Sequence, residues 1–429
     1  MTASKFPASV VASSLCAVSL AALSMAFASP ALAGSTGFHP KGREWAAVAA
    51  AYTDQISLLQ TLVDIDSGSG EVEGGQAIAD TLQVQLTKLG AHVERVSAEA
   101  PGLPDNLVAT VTGTGKGRIL IIAHSDTVFE KGEAAKRPFS INGDTATGAG
   151  VMDEKGGVAA AVTALKVLKS LNYHNFKSIT LLVETSEELG STGTRKLIDR
   201  LLQSADLELN MEPEEKDTVT VWRKSSGSLV LTVTGRAAHA GMDPEKGRNA
   251  AEELISQVRR LDQAFPRSGD QITVNLTLMN AGSRSNIIPA EATGTLNVRG
   301  RTMDDMKSVE SAARSFAASP TVPDTTVKVD FSLAFPPLVQ NPRVMAIAMR
   351  ARDIQGEIGR PLNFGGNGGA SESALADAAG VPALDGLGST GSGAHTPHET
   401  LDLASVKPRL YLLVRLLETY GAQPPSKNP

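Results

Sequence analysis

The sequence predicts an α/β domain interrupted by a smaller α+β insert. Three observations point there. Apolar strand-like runs alternate with helical runs on both sides of the chain's middle, the order of a sheet covered by helices. Around Gly227 the pattern changes to strand, helix, two strands, helix, strand, which is the ferredoxin-like order. Pro336-Pro337 then closes the insert, and the first pattern resumes.

From about Asp54 the elements follow in order. Residues 77–90 carry a helical period, and 106–112 and 118–124 read as strands. A helix over 156–171 precedes the buried strand 179–184, and another helix starts at Thr192. In the insert, 229–234 is a strand, 250–264 a helix, 272–279 and 292–298 strands, 303–318 a helix and 326–333 a strand. Such a sheet buries one face on its two helices and leaves an edge strand open to pairing. Beyond Pro337 come a helix from Arg343, a glycine-rich stretch, a strand at 381–384 and a last helix over 403–420. The limits expected are therefore 34–226 and 338–429 for the larger domain and 227–337 for the insert.

The first 33 residues read as a leader. Lys5 precedes a mostly apolar run over 10–27, and Ala31-Leu32-Ala33 stands before Gly34, so export with cleavage after Ala33 is expected. Ser13, Ser14, Ser19 and Ser24 interrupt the run and argue against the other reading, a stable membrane anchor. The destination is the periplasm in a Gram-negative host and the medium otherwise. Cys16, the chain's one cysteine, lies in this leader, so the mature chain has no disulfide, thiolate metal site or cysteine nucleophile. A net charge of −6 without a Lys/Arg run excludes a nucleic-acid binder. A mean hydropathy of −0.05 excludes a polytopic membrane protein.

The chemistry-bearing residues cluster at the ends of apolar strands. His124 ends the run Leu120-Ile-Ile-Ala-His124, where open α/β sheets gather ligands. Asp126 follows two residues on, placed to hold the ring of a ligating histidine. Alone, a histidine at a strand end is more often a capped structural residue than a ligand. Asp153-Glu154 lies between glycine clusters just before a helix, as a cap or as backbone brought close to a ligand. Glu187-Glu188 leaves the strand 179–184; adjacent carboxylates repel unless a cation or protons intervene, although an acidic first helical turn is the plainer reading. Glu212-Pro213 is a further carboxylate at a strand end, and His395 and His398 flank Pro397 near the C-terminus. Nitrogen and oxygen donors without sulfur suit zinc in a hydrolytic site, with manganese or cobalt as substitutes.

Taken in order, His124-x-Asp126, Gly-x-x-Asp153-x-Lys-Gly-Gly, Glu187-Glu188, Glu212-Pro213, His239 before Ala-Gly, Ser285-Asn286-Ile-Ile-Pro289 and a late His395 resemble the co-catalytic zinc peptidases of the aminoacylase–carboxypeptidase clan, nearest its glutamate carboxypeptidases, the carboxypeptidase G group. The resemblance spans essentially the whole mature chain. It implies a zinc-peptidase catalytic domain, a mixed sheet between helices, interrupted by a ferredoxin-like lid and dimerisation domain. By the same resemblance His124 and Glu212 hold one zinc, Glu188 and His395 a second, and Asp153 bridges them. Asp126 buttresses His124, and Glu187 is the general base. The Asp153–Glu154 peptide is cis, and His239 reaches the oxyanion from a partner subunit's lid. Asn286, Arg299 and Ser371 are implied substrate contacts.

Two departures bear on specificity. The late glycine loop of the family ends in Ser/Thr-Asp but here reads Gly368-Gly-Ala-Ser371-Glu372. Glutamate-releasing relatives carry an arginine near the end of the last lid strand, where this chain has Ser332-Leu-Ala-Phe335. The expectation is an exported dizinc carboxypeptidase that releases a C-terminal amino acid, glutamate first, from a peptide or N-acyl amino acid. The alternatives are an aminoacylase or dipeptidase of broader specificity and, remotely, a catalytically silent periplasmic binding protein. A homodimer through the lid is expected.

Overall fold

The computed structural model describes residues 38–266 and 271–426; the expected leader lies outside the described residues. Its principal strands are β1 (His92–Val96), β2 (Asn106–Thr112), β3 (Arg118–His124), β4 (Ser178–Glu184), β5 (Leu207–Asn210), β6 (Ser226–Thr234), β7 (Ile272–Ala281), β8 (Glu291–Gly300), β9 (Thr326–Phe335) and β10 (Ala383–Leu384). The principal helices are α1 (Gly42–Val63), α2 (Val72–Leu89), α3 (Lys155–Ser170), α4 (Arg195–Leu202), α5 (Ala250–Ala264), α6 (Met303–Ala317), α7 (Pro342–Glu357) and α8 (Leu403–Ala422).

β3 shows how the sequence makes the layers. Its apolar residues alternate between two faces. Ile119, Ile121 and Ala123 pack into one core with residues of α1, α3 and α8, while Leu120 and Ile122 pack into another with Leu197, Ile198 and Leu202 of α4. The result is a sheet of order β1-β2-β4-β3-β5-β10 between helices. It is mixed: β1 and β2 pair antiparallel, whereas β4, β3, β5 and β10 run parallel. No described helix is long and apolar enough to cross a membrane.

The insert forms its own antiparallel sheet of order β7-β8-β6-β9, with a separate core that includes Leu229, Leu231 and Val233 of β6 and residues of α5 and α6. Thr302 caps α6 in a reciprocal box with Asp305, which fixes where that helix begins. β7 is an edge strand, and its second half is exposed, with Leu278 and Met279 among the exposed apolar residues.

Two elements differ from expectation for local reasons. The helix expected over 77–90 starts earlier, at Val72, and runs through Gly74-Gly75. A Cβ on Gly74 would stand 1.6 Å from the Asp66 carbonyl oxygen, and one on Gly75 would stand 2.4 Å from Pro104 Cγ. These glycines permit close approach rather than a stop. The second is α1, which the reading from Asp54 onward passes over although 22 residues form it.

Candidate metal centre

Three parallel strands bring the site together. β3 pairs with β4 through His124 and Glu184 and with β5 through Ile122 and Asn210, so their carboxyl ends finish on one edge. His124 is the last residue of β3; Glu187 and Glu188 occupy a 3-10 turn just past β4; Glu212 follows β5 by two residues. Asp153 lies on the loop entering α3, and its peptide to Glu154 is cis. His395 comes from the loop before α8 and holds a φ of 62°.

Their donor atoms form two groups. His124, Asp153 and Glu212 each place a ligand atom within 4.8 Å of the others, as do Asp153, Glu188 and His395. His124 Nε2 stands 3.1 Å from Asp153 Oδ1 and 3.6 Å from Glu212 Oε1. His395 Nε2 stands 3.2 Å from Asp153 Oδ2 and 3.3 Å from Glu188 Oε1. Asp153 therefore turns one oxygen to each group, as a carboxylate shared by two ions must. Glu188 Oε1 is buried without a hydrogen-bond partner, an orphan that a cation would satisfy. The donors fit a dinuclear centre of zinc, manganese or cobalt type.

The electrostatics follow from packing carboxylates this densely. Burial works against a charged His124, but Asp126, Asp153 and Glu212 outweigh it and raise its pKa well above the usual imidazole range. Asp153 and Glu188 raise His395 to about 10. Burial resists ionisation of Asp153, yet His124 and His395 hold it below the usual carboxylate range. Burial pushes Glu212 up to about 7, with Arg223 the first charge to oppose it. Glu187 is pushed well above the carboxylate range by burial and then by Glu212, Glu372 and Glu188.

A ring of supporting groups fixes these side chains. His124 Nδ1 donates to the Asp126 carbonyl oxygen at 3.0 Å, which leaves Nε2 for a ligand. The Asp126 carboxylate stands farther from the ring, at 3.5 Å. It accepts instead from the Glu187 N–H at 3.1 Å, the Glu188 N–H at 3.2 Å and the Ser69 hydroxyl at 2.6 Å. Asp126 thus meets His124 through its carbonyl and, at longer range, its carboxylate, and that carboxylate also anchors the turn of the acidic pair. Glu399 accepts from the N–H groups of Gly150, Met152 and Asp153 at 2.8–2.9 Å and so holds the loop that carries Asp153. Arg223 donates to both oxygens of Asp385, at 2.6 and 2.9 Å, and reaches Glu212 Oε2 at 3.4 Å. Neither Glu399 nor the Arg223–Asp385 pair is singled out by the sequence pattern.

A cavity of about 550 Å³ opens over this centre. Asp153, Glu187, Glu188, Glu212 and His395 line it, joined by Arg299 of β8, whose Nη1 reaches the Gly368 carbonyl at 3.5 Å. Ser371 does not line it. It is fully buried and its hydroxyl donates to Asp385, so its place is in the support of Arg223 rather than in contact with substrate. Glu372 is also buried, taking Ser191 and Asn210 as partners. His239 and Asn286 lie exposed on the insert, outside the lining, where the Ala240 N–H donates to the Asn286 carbonyl at 3.0 Å.

A family model described as Peptidase family M20/M25/M40 matches residues 120–419. Carboxypeptidase G2 of Pseudomonas sp. (strain RS-16) is 33% identical over 374 residues, covering 86% of this chain and 89% of the relative. Among solved structures, the M20 family metallo-carboxypeptidase Sso-CP2 from Sulfolobus solfataricus matches with a TM-score of 0.68 at 17% identity, covering 86% of this chain and 99% of that one. The YXEP protein of Bacillus subtilis, titled a dinuclear metal binding peptidase, matches with a TM-score of 0.63 at 16% identity over 87% of this chain and 99% of that one.

Proposed function

Because the chain belongs to peptidase family M20/M25/M40, a family of metal-dependent hydrolases, we propose that it is an exported dizinc carboxypeptidase that cleaves the amide bond to a C-terminal amino acid. The observation that carries this reading is the pair of ligand groups meeting at Asp153, with Glu187 in the same cavity. His124, Asp153 and Glu212 would hold one ion, and Asp153, Glu188 and His395 the other. Bound there, the ions supply Lewis acidity toward the scissile carbonyl and the attacking water. Glu187, in the same cavity, takes the water's proton and returns it to the leaving amine. Arg299 pairs with the carboxylate of the residue to be released. The resemblance makes glutamate the first expectation for that residue; the cavity wall favours a neutral one, for the reasons given in the next subsection.

His239, exposed on the insert, would reach the oxyanion from a partner subunit. Exposed Leu278 and Met279 on edge strand β7, beside Ile287, support pairing of two inserts. Sedimentation checks this part: a fully active monomer excludes it. Export rests on the leader pattern, and N-terminal sequencing of protein recovered outside the cytoplasm should begin at Gly34.

The experiment for the hydrolytic reading is reconstitution of metal-stripped protein with zinc, followed by assay against peptidyl and N-acyl amino acids. Release of the C-terminal residue that zinc restores and EDTA abolishes supports it. Two tightly bound ions without turnover of any substrate would favour a silent binding protein.

A further inference from the structure

The charges around the cavity bear on which residue is released, granted the proposed cleavage at a C-terminal residue. Among the described residues, Arg223 and Arg299 are the arginines that line the cavity. Arg223 is committed: its two bonds to fully buried Asp385 cannot be given up without leaving that carboxylate unpaired in the interior. Arg299 is held more loosely, by Asn297 Oδ1 at 3.1 Å and the Gly368 carbonyl at 3.5 Å. It shares the cavity lining with Glu187, the base that must meet the scissile amide. The α-carboxylate of a released residue is only two bonds from that amide nitrogen, so Arg299 suits the carboxylate that every C-terminal residue carries.

Among the described residues, that leaves no arginine or lysine of the lining for a carboxylate on the side chain. The wall instead presents Phe335, the last residue of β9. A Cβ on Gly190 would meet the Phe335 ring at 3.8 Å, so the ring lies against the turn that carries Glu187 and Glu188. The Arg195 guanidinium stands 4.5 Å from the ring centroid while its Nη2 donates to the Gly190 carbonyl at 2.9 Å, which fixes the aromatic wall. Glu214 and Glu215 also line the cavity and repel a second substrate carboxylate. Arg284 of the insert is exposed and outside the lining.

We propose that Phe335 is a specificity-determining residue and that the substrates are peptides or N-acyl amino acids with a neutral, mainly apolar C-terminal side chain. The test uses the zinc-loaded full chain and matched substrates ending in leucine, phenylalanine, glutamine and glutamate, glutamine being the neutral isostere of glutamate. The kcat/KM for leucine and glutamine should exceed that for glutamate by roughly 10-fold or more. Phe335→Arg should narrow the glutamine-to-glutamate gap, whereas Phe335→Leu should keep it. Calorimetric titration of zinc-loaded Glu187→Gln with free leucine, glutamine and glutamate should give the same order without turnover. Glutamate released as fast as glutamine, or bound as tightly by Glu187→Gln, overturns the proposal. Failure of all four substrates would count against the hydrolytic reading instead, and the titration would still order the ligands.

Discussion

Asp126→Asn separates two roles for one carboxylate. In the structure the Asp126 side chain is buried and accepts three hydrogen bonds, from the Glu187 and Glu188 N–H groups and the Ser69 hydroxyl. Asparagine keeps one acceptor oxygen and turns an N–H₂ group toward a donor that then has no partner. At roughly 1–3 kcal/mol for each buried group left unsatisfied, the variant should lose about 2–3 kcal/mol of stability. The larger effect should be on rate. Glu187 sits on the turn that this carboxylate holds, and a shift near 1 Å in a reacting group costs about 10²-fold. The assays are urea denaturation, kcat and metal content on the same preparation. The expected result is kcat lower by about 10²-fold with both ions retained. A kcat within threefold of the parent at equal metal content would refute the anchoring role. Loss of the ion on the His124 side as the sole defect would return Asp126 to the role of histidine buttress.

Other consequences follow from the same contacts. Arg223→Met should weaken the ion held by His124 and Glu212 by about 10–100-fold, as outer-shell partners do, and leave the His395 side intact in chelator competition. It should also cost about 3–5 kcal/mol by stranding Asp385, a loss that Arg223→Met/Asp385→Leu should partly recover in denaturation experiments. Glu399→Gln should loosen the Gly150–Asp153 backbone and lower affinity for both ions, since Asp153 serves both groups; equal loss at the two sites is the signature to seek by metal titration. His395, raised to about 10 by its carboxylate neighbours, contributes stability to the metal-free chain that is fully present below its unfolded value near 6.5 and is lost as pH rises through about 10. A metal must displace that proton, so zinc uptake at pH 8 should release it, and calorimetry in buffers of different ionisation enthalpy should show buffer-dependent heats.

Much of the candidate ligand set is legible because the physics that positions it is local. An apolar run long enough to be a central strand must end somewhere, and a histidine or carboxylate at that end reaches the carboxyl edge of the sheet. His124, Glu188 and Glu212 all satisfy this, and the family order supplies the grouping that spacing alone leaves open. The support is illegible for the opposite reason. Glu399 acts on backbone some 246–249 residues earlier in the chain, and Arg223 meets Asp385 across 162 residues. No window of sequence registers such pairs. Ser371 fails differently. A serine in a glycine-rich loop carries no mark of the side of the wall its hydroxyl will face, and the structure turns it inward to Asp385.

The fold shows the same division. The insert's strands and helices come through with ends shifted by at most three residues, and the helix Ala250–Ala264 with none, because each carries a clean period. By contrast, the small sheet that joins Ser140–Asn142, Thr145–Thr147, Gly391–Ser392 and Thr400–Asp402 consists of strands of two or three residues. Such strands are too short for any period to register. That sheet also positions the loop bearing His395, so its absence from the sequence reading hides how the late histidine is brought to Asp153.

The most direct test is a single variant measured two ways. Glu187→Gln, loaded with zinc, should retain two ions per chain, because Glu187 belongs to neither ligand group. Its hydrolysis of the best parent substrate should fall by about 10²–10⁴-fold, the worth of a positioned proton acceptor. Two bound ions with near-parent turnover would remove Glu187 as the base. Loss of an ion would make it a ligand and contradict the assignment of the acidic pair.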